Sequence, residues 1–181
     1  MDALIALIRG INVGGRTKLA MADLRKAAET CGLEDVSTYI QSGNLVARDP
    51  MRRSAAAVAD ALRSAIASSG GIDPTVMVRT RRQLAATVDR SPFLARGADP
   101  ALLHVVFLDG KGATALRGFD VARYSPEEAV AVGSEIHLLL PGGVGRSKLA
   151  ADLTRHSAGN GTMRNWRTVT KLLAMAEEVS T

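Results

Sequence analysis

Short apolar segments and amphipathic helical segments alternate in a definite order along residues 2–79. Strand patterns are predicted over Ala3–Ile8, Val36–Ile40, Leu45–Ala47 and Thr75–Val78. Helical spacing connects Ala20 to Cys31, and Ser54 is placed to cap a second helix that Gly70-Gly71 closes. The resulting order is β-α-β-β-α-β, which is typical of a ferredoxin-like antiparallel sheet with two helices on one face.

The second half of the chain has a similar but divergent pattern. A strand is predicted over Leu102–Leu108, a short helix over Gly112–Arg117, two strands over Glu128–Val132 and Ile136–Leu140 with a Gly133-Ser134 turn, and helices over 146–156 and 164–178. A helix is thus predicted where a sixth strand would come. We therefore expect an α+β protein with a ferredoxin-like subdomain over 1–80, a connecting helix and loop over 81–99, and a second ferredoxin-like subdomain with C-terminal helices over 100–181.

Composition restricts the classes of protein and site. The 181 residues are 46% apolar and include a single cysteine, Cys31, so no internal disulfide and no cysteine-rich zinc site is expected. The chain has no apolar run of membrane-spanning length, and its first residues lack the features of a signal peptide. We predict a cytoplasmic protein that does not enter the membrane.

Positive charge is concentrated towards the end of the chain. The net charge is +5, and residues 141–176 contain six lysines and arginines against Asp152 as the single acidic residue. Such a segment attracts phosphates or acidic partners through its long-range field. On charge alone, however, a solvated helix face is the favoured interpretation and ligand attraction is the alternative.

A glycine-rich basic loop follows the first predicted strand. Gly10-Ile-Asn-Val-Gly-Gly-Arg-Thr17 has the spacing of a nucleotide phosphate loop, except that Arg16 stands where lysine is required. We reject a nucleoside-triphosphatase, because arginine replaces a point-charge lysine poorly and the predicted sheet order is wrong for that fold. Gly14 and Gly15 permit close backbone approach, while Arg16 and Lys18 supply charge and Asn12 a directed hydrogen bond. An anion-binding loop and a tight structural turn both remain open.

A second glycine-rich loop repeats part of the first. Gly15-Arg-Thr-Lys-Leu-Ala-Met-Ala-Asp-Leu24 is echoed, with one residue deleted, by Gly145-Arg-Ser-Lys-Leu-Ala-Ala-Asp-Leu153. The loop Pro141–Lys148 allows the same two interpretations, and its position before a predicted helix in the basic part of the chain slightly favours binding. The echo suggests a duplicated subdomain.

The segment Thr162-Met-Arg-Asn-Trp-Arg167 contains the single tryptophan. Trp166 with its basic neighbours would suit stacking on a base or sugar, but a core anchor for the last helix is the favoured alternative. The three histidines have no metal-ligand spacing, and no catalytic motif stands out.

Four of these segments resemble the domain of unknown function 1697 family. They are Leu7–Gly15, Thr38–Asn44, Gly143–Lys148 and Thr162–Trp166. The resemblance implies a two-subdomain α+β fold with ferredoxin-like halves and no settled activity; Ala20 departs from it, since a proline is expected before Met21. The candidate ligand-binding residues are Arg9, Asn12, Gly14, Gly15, Arg16, Lys18, Gln41, Ser42, Asn44, Arg146, Ser147, Lys148, Arg164, Asn165 and Trp166.

Three functions remain in competition. The leading hypothesis is a binding module for a phosphate-bearing ligand, a nucleotide or nucleic acid, held by the Gly/Arg/Lys loops. The second is an enzyme acting on a small anionic substrate in a cleft between the subdomains, which lacks an evident general base. The third is a protein-interaction module without a ligand. No metal or cofactor is predicted, and the sequence leaves enzymatic activity and oligomeric state open.

Overall fold

The computed structural model describes residues 2–12, 18–157 and 160–180. The chain divides into two compact units, the first comprising Met1–Ala85 with Lys171–Thr181 and the second Ala86–Thr170. The strands are β1 (Leu4–Arg9), β2 (Glu34–Thr38), β3 (Asn44–Arg48), β4 (Thr75–Thr80), β5 (Leu103–Leu108), β6 (Glu128–Val132), β7 (Glu135–Leu139) and β8 (Gly161–Asn165). The helices are α1 (Met21–Thr30), α2 (Ala55–Gly70), α3 (Arg81–Asp89), α4 (Gly112–Ala115), α5 (Lys148–His156) and α6 (Trp166–Ser180).

The first unit contains a four-stranded antiparallel sheet in the order β2-β3-β1-β4. Alternate residues of β1, namely Leu4, Ala6 and Ile8, pack into one cluster with Leu24 of α1 and Leu62 of α2. This alternation places one face of β1 against the two helices, as the period of two in a strand requires. The elements follow the order predicted for residues 2–79.

The second unit contains another four-stranded antiparallel sheet, in the order β6-β7-β5-β8. Val106 and Leu108 of β5 pack with Leu149 and Leu153 of α5 on one face. The prediction of a helix where the sixth strand would come is wrong, because Gly161–Asn165 forms β8 and pairs with β5 along His104–Leu108. The last helix begins only at Trp166, after this strand.

Local signals fix several element ends as predicted. The Ser54 Oγ atom accepts a hydrogen bond from the Ala57 amide at 3.2 Å, which caps α2, and Gly71 follows that helix with φ 63°. In contrast, β2 begins at Glu34 and ends at Thr38, two residues earlier than the pattern Val36–Ile40 indicated. The pairing of β2 with β3 also has a register shift between Glu34 and Ser37.

The two echoed segments occupy different places in their units. The first, Gly15–Leu24, leads from β1 into α1, the first helix of its unit. The second, Gly145–Leu153, leads from β7 into α5, which corresponds to α2 of the first unit. The echo therefore does not mark equivalent positions in the two units.

Candidate functional site

The Asn12 side chain closes the base of the first glycine-rich loop. Its Oδ1 atom accepts a hydrogen bond from the Leu19 amide at 3.0 Å, and its Nδ2 atom donates to the Leu19 carbonyl at 2.9 Å. Nδ2 also donates to the Gln41 carbonyl at 2.8 Å. One amide group thereby fixes both ends of the loop and ties it to the turn before β3. Asn12 adopts φ 56°, a left-handed conformation that asparagine tolerates better than most residues.

The turn before β3 is packed tightly against the end of β1. The Ile8 amide donates to the Gly43 carbonyl at 2.7 Å, and a methyl group added to Gly43 would lie 2.7 Å from the Ile8 carbonyl oxygen. Asn44 is fully buried, and its Nδ2 atom donates to the Tyr39 carbonyl at 3.1 Å and to the Ser42 Oγ atom at 2.9 Å. The structure thus brings together two sequence-predicted segments, the end of β1 and the turn before β3.

The predicted ligand-contacting groups of this loop differ in exposure. Lys18 is exposed directly beside the clamped residue Leu19, while Arg9 at the end of β1 is half-buried. Gln41 is exposed, and Ser42 is half-buried. Gly14, Gly15 and Arg16 lie outside the described residues.

The second predicted loop is organised around the start of α5. Ser147 is buried, and its Oγ atom accepts the Ala150 amide at 2.9 Å. The Glu127 Oε2 atom accepts the Leu149 amide at 3.0 Å, so a carboxylate of the protein already occupies this helix N-terminus. Arg146 and Lys148 are exposed. At this loop, side-chain cations rather than the amides of Leu149 and Ala150 are accessible to a ligand.

The residues around Trp166 take structural positions. Trp166 is 5% exposed and lies 6.4 Å from the His137 ring, measured between centroids. The Asn165 Oδ1 atom accepts the Thr168 amide at 2.8 Å at the start of α6. The Arg164 guanidinium donates to the Thr162 Oγ1 atom at 2.6 Å, and burial lowers the pKa of Arg164 to about 10. Trp166 therefore lies in the core, and Arg164 is a half-buried cation that stays charged at neutral pH.

Sequence reasoning missed a cavity of about 350 Å³ in the second unit. It lies at the end of β5 and is lined by Leu108, Asp109, Gly110, Lys111, Thr114, Ala115, His156, Ser157 and Asn160. The available signal was Asp109, a charged residue directly after a buried strand. Nothing in the spacing indicated that His156 lies on the same cavity.

The described residues contain neither a metal-binding cluster nor a membrane-spanning helix. No group of three or more His, Cys, Asp and Glu residues there is arranged to hold a metal ion. In the same ranges no helix is both long and apolar enough to cross a membrane.

The fold defines an α+β protein with two four-stranded antiparallel sheets and, in the described residues, six α-helices. The chain belongs to the family described as "Protein of unknown function (DUF1697)", which matches residues 1–137. A solved structure with the same fold is that of the conserved bacterial protein SP0830 from Streptococcus pneumoniae. It has a TM-score of 0.71 at 22% identity and covers 97% of this chain and 98% of that chain. No curated protein matches the sequence.

Proposed function

We propose that the first unit binds a phosphate-bearing ligand, a nucleotide or a nucleic acid, at the loop between β1 and α1. The observation that carries this proposal is the clamp made by Asn12, which holds Leu19 and Gln41 with three hydrogen bonds of 2.8–3.0 Å. A loop whose two ends are fixed loses less conformational entropy on binding than a free one. Glycine-rich segments with adjacent cations are suited to phosphate oxygens.

The positive charges at this loop support an anionic ligand. Lys18 is exposed at the clamped end, and Arg9 ends β1 on the other side of the loop. The loop sequence between them adds Arg16, Gly14 and Gly15. The second loop, Pro141–Lys148, is the weaker candidate for phosphate binding. Two amides at the start of α5 already donate hydrogen bonds to Glu127 and Ser147, which leaves the side chains of Arg146 and Lys148 as the groups that attract phosphate.

The same proposal includes a ferredoxin-like topology for each unit. The orders β2-β3-β1-β4 and β6-β7-β5-β8, with every neighbouring pair antiparallel, support it. Proteins of this topology often bind RNA through aromatic residues on the sheet face. The interior strand β1 carries no aromatic residue, so we place the ligand at the loop rather than on the sheet.

The test compares two exposed lysines of the first unit. Binding of a labelled single-stranded oligonucleotide, ATP and inorganic phosphate is titrated at low and high salt with Lys18→Ala and with Lys26→Ala as the matched control. Removal of one phosphate contact should weaken binding of the phosphate-bearing probe about threefold to tenfold and lower its salt slope by about one. Lys26 is exposed on α1, and its backbone carbonyl accepts a hydrogen bond from the Thr30 hydroxyl at 2.8 Å.

The three probes also separate the ligand classes. Binding of the oligonucleotide alone indicates a nucleic acid, and binding of ATP indicates a nucleotide. The proposal is abandoned if no probe binds at low salt, or if Lys18→Ala and Lys26→Ala bind the probes equally well.

A further inference from the structure

The cavity of about 350 Å³ at the end of β5 is a concave site built from three parts of the second unit. Asp109 and Lys111 come from the segment after β5, His156 and Ser157 from the end of α5, and Asn160 from the segment before β8. Backbone hydrogen bonds hold these parts in place, including the Asn160 amide to the Ser157 carbonyl at 2.9 Å. Its volume is at the lower end of the range for small-molecule sites, about 300–1,000 Å³.

This cavity occupies the position in the second unit that the clamped loop occupies in the first. The Ile8 amide at the end of β1 donates to Gly43, and the Leu108 amide at the end of β5 donates to Ser134. Each acceptor directly precedes the neighbouring strand, β3 or β7. Asp109 therefore corresponds to Arg9, so the two equivalent positions carry opposite charges.

His156 is held in one orientation although its side chain is exposed. Its Nε2 atom lies 3.2 Å from the Arg117 carbonyl, and its ring centroid lies 5.1 Å from that of Phe119. Because a carbonyl oxygen only accepts, Nε2 is the donor in this contact. Phe119 is stacked on Tyr124, whose hydroxyl donates to Asp152 at 2.7 Å. A fixed polar ring at a cavity lowers the entropic cost of binding a ligand.

The lining carries both signs of charge and several neutral polar groups. Asp109 and the C-terminal end of α5 favour a cationic group, whereas Lys111 favours an anionic one. Thr114, Ser157 and Asn160 add hydroxyl and amide groups. We propose that this cavity binds a small zwitterion of amino-acid size, with its ammonium group towards Asp109 and its acidic group towards Lys111.

The experiment uses the full chain and three probes that differ in charge. L-serine carries both groups, acetate carries only the acid, and ethylammonium only the cation. Amide chemical shifts of Gly110, Lys111, Thr114 and Ser157 are followed by NMR during each titration. We expect saturable shifts with L-serine and an affinity at least about tenfold lower for acetate and for ethylammonium.

Two variants, each of which removes one charge, test whether Asp109 and Lys111 both contribute to binding. Asp109→Asn and Lys111→Met should each weaken L-serine binding about tenfold. The matched variants Asp89→Asn and Lys171→Met, at exposed positions on α3 and α6, should leave binding unchanged. The proposal fails if L-serine gives no saturable shift at these amides, if acetate binds as tightly as L-serine, or if Asp109→Asn and Lys111→Met have no effect. These amides belong to the second unit, so the outcome is independent of phosphate binding at Lys18.

Discussion

His137 is a buried imidazole in the middle of β7. It is 1% exposed, and its Nε2 atom has no hydrogen-bond partner among the described residues. Burial lowers the pKa of His137 to about 4, because the charged ring would lose its hydration. The ring is therefore neutral in the folded protein at neutral pH.

This pKa makes stability depend on pH in a defined direction. Between the ordinary histidine pKa of about 6.5 and the folded pKa of about 4, the unfolded chain binds more protons at His137 than the folded chain does. The free energy of unfolding is therefore undiminished above the unfolded pKa and decreases as the pH falls through this window. By pH 5 the titration of His137 lowers the free energy of unfolding by about 2 kcal/mol.

We expect His137→Leu to remove most of this loss. Urea unfolding of the wild type and of His137→Leu at pH 7.5 and pH 5 measures it: the difference between the two pH values should be smaller in the variant by about 2 kcal/mol. An equal pH dependence in both proteins would show that His137 does not titrate in this way.

The Asn12 clamp allows a comparison of backbone and side-chain effects. Asn12→Gly removes the three hydrogen bonds but suits φ 56°, and it should destabilise the protein by about 2 kcal/mol. Asn12→Ala adds the strain of the left-handed conformation, about 1 kcal/mol more. Urea unfolding measures both free energies, and hydrogen exchange of the Leu19 amide should accelerate in both variants. Unchanged exchange at Leu19 would contradict the clamp.

At the level of single elements, the start of α5 depends on two side chains from different parts of the chain. Ser147 caps the Ala150 amide, and Glu127 accepts the Leu149 amide. The Ser147 hydroxyl is buried, whereas Ser54 at the start of α2 is exposed. Loss of the buried cap leaves an amide without a partner away from water.

We therefore expect Ser147→Ala to lower the free energy of unfolding more than Ser54→Ala does. The buried cap should contribute about 1–2 kcal/mol and the exposed cap about 0.5–1 kcal/mol to the free energy of unfolding. Urea unfolding of the two matched variants gives the comparison. Equal losses in both would mean that burial does not add to the value of the cap at Ser147.

On the scale of the whole molecule, the end of the chain is part of the first unit. Lys171–Thr181 belongs to that unit, and the Ala3 amide donates to the Ser180 Oγ atom at 3.1 Å. Leu172 and Ala176 of the same segment are 1% and 0% exposed. Residues 177 positions apart in sequence thus meet beside β1.

Truncation after Thr170 should destabilise the first unit as a whole. Hydrogen exchange of the β1 amides should then lose most of its protection, because two buried side chains and the Ser180 contact are removed together. The control Ser180→Ala removes only the hydrogen bond and should cost about 1 kcal/mol. Preserved protection of β1 after truncation would contradict this assignment of the C-terminal segment.

Local sequence patterns were sufficient to predict the order of most strands and helices and the ends of several of them. The continuous apolar run of β1, the cap at Ser54 and the termination of α2 before Gly71 each depend on residues that are close together in sequence. The α+β class follows from these elements, because each strand and helix must bury its apolar face against another.

The remaining features were decided by contacts between distant segments. β8 has the polar sequence Gly-Thr-Met-Arg-Asn and becomes a strand because it pairs with the buried strand β5. Glu127 accepts the Leu149 amide, and Asn12 donates to the Gln41 carbonyl. Both hydrogen bonds join residues more than 20 positions apart, so they form only in the folded chain. The cavity beside Asp109 and His156 likewise depends on segments that no local pattern connects. The sequence by itself determined the elements because their signals lie within one or two turns of chain, whereas the sites arose where tertiary packing joined those elements.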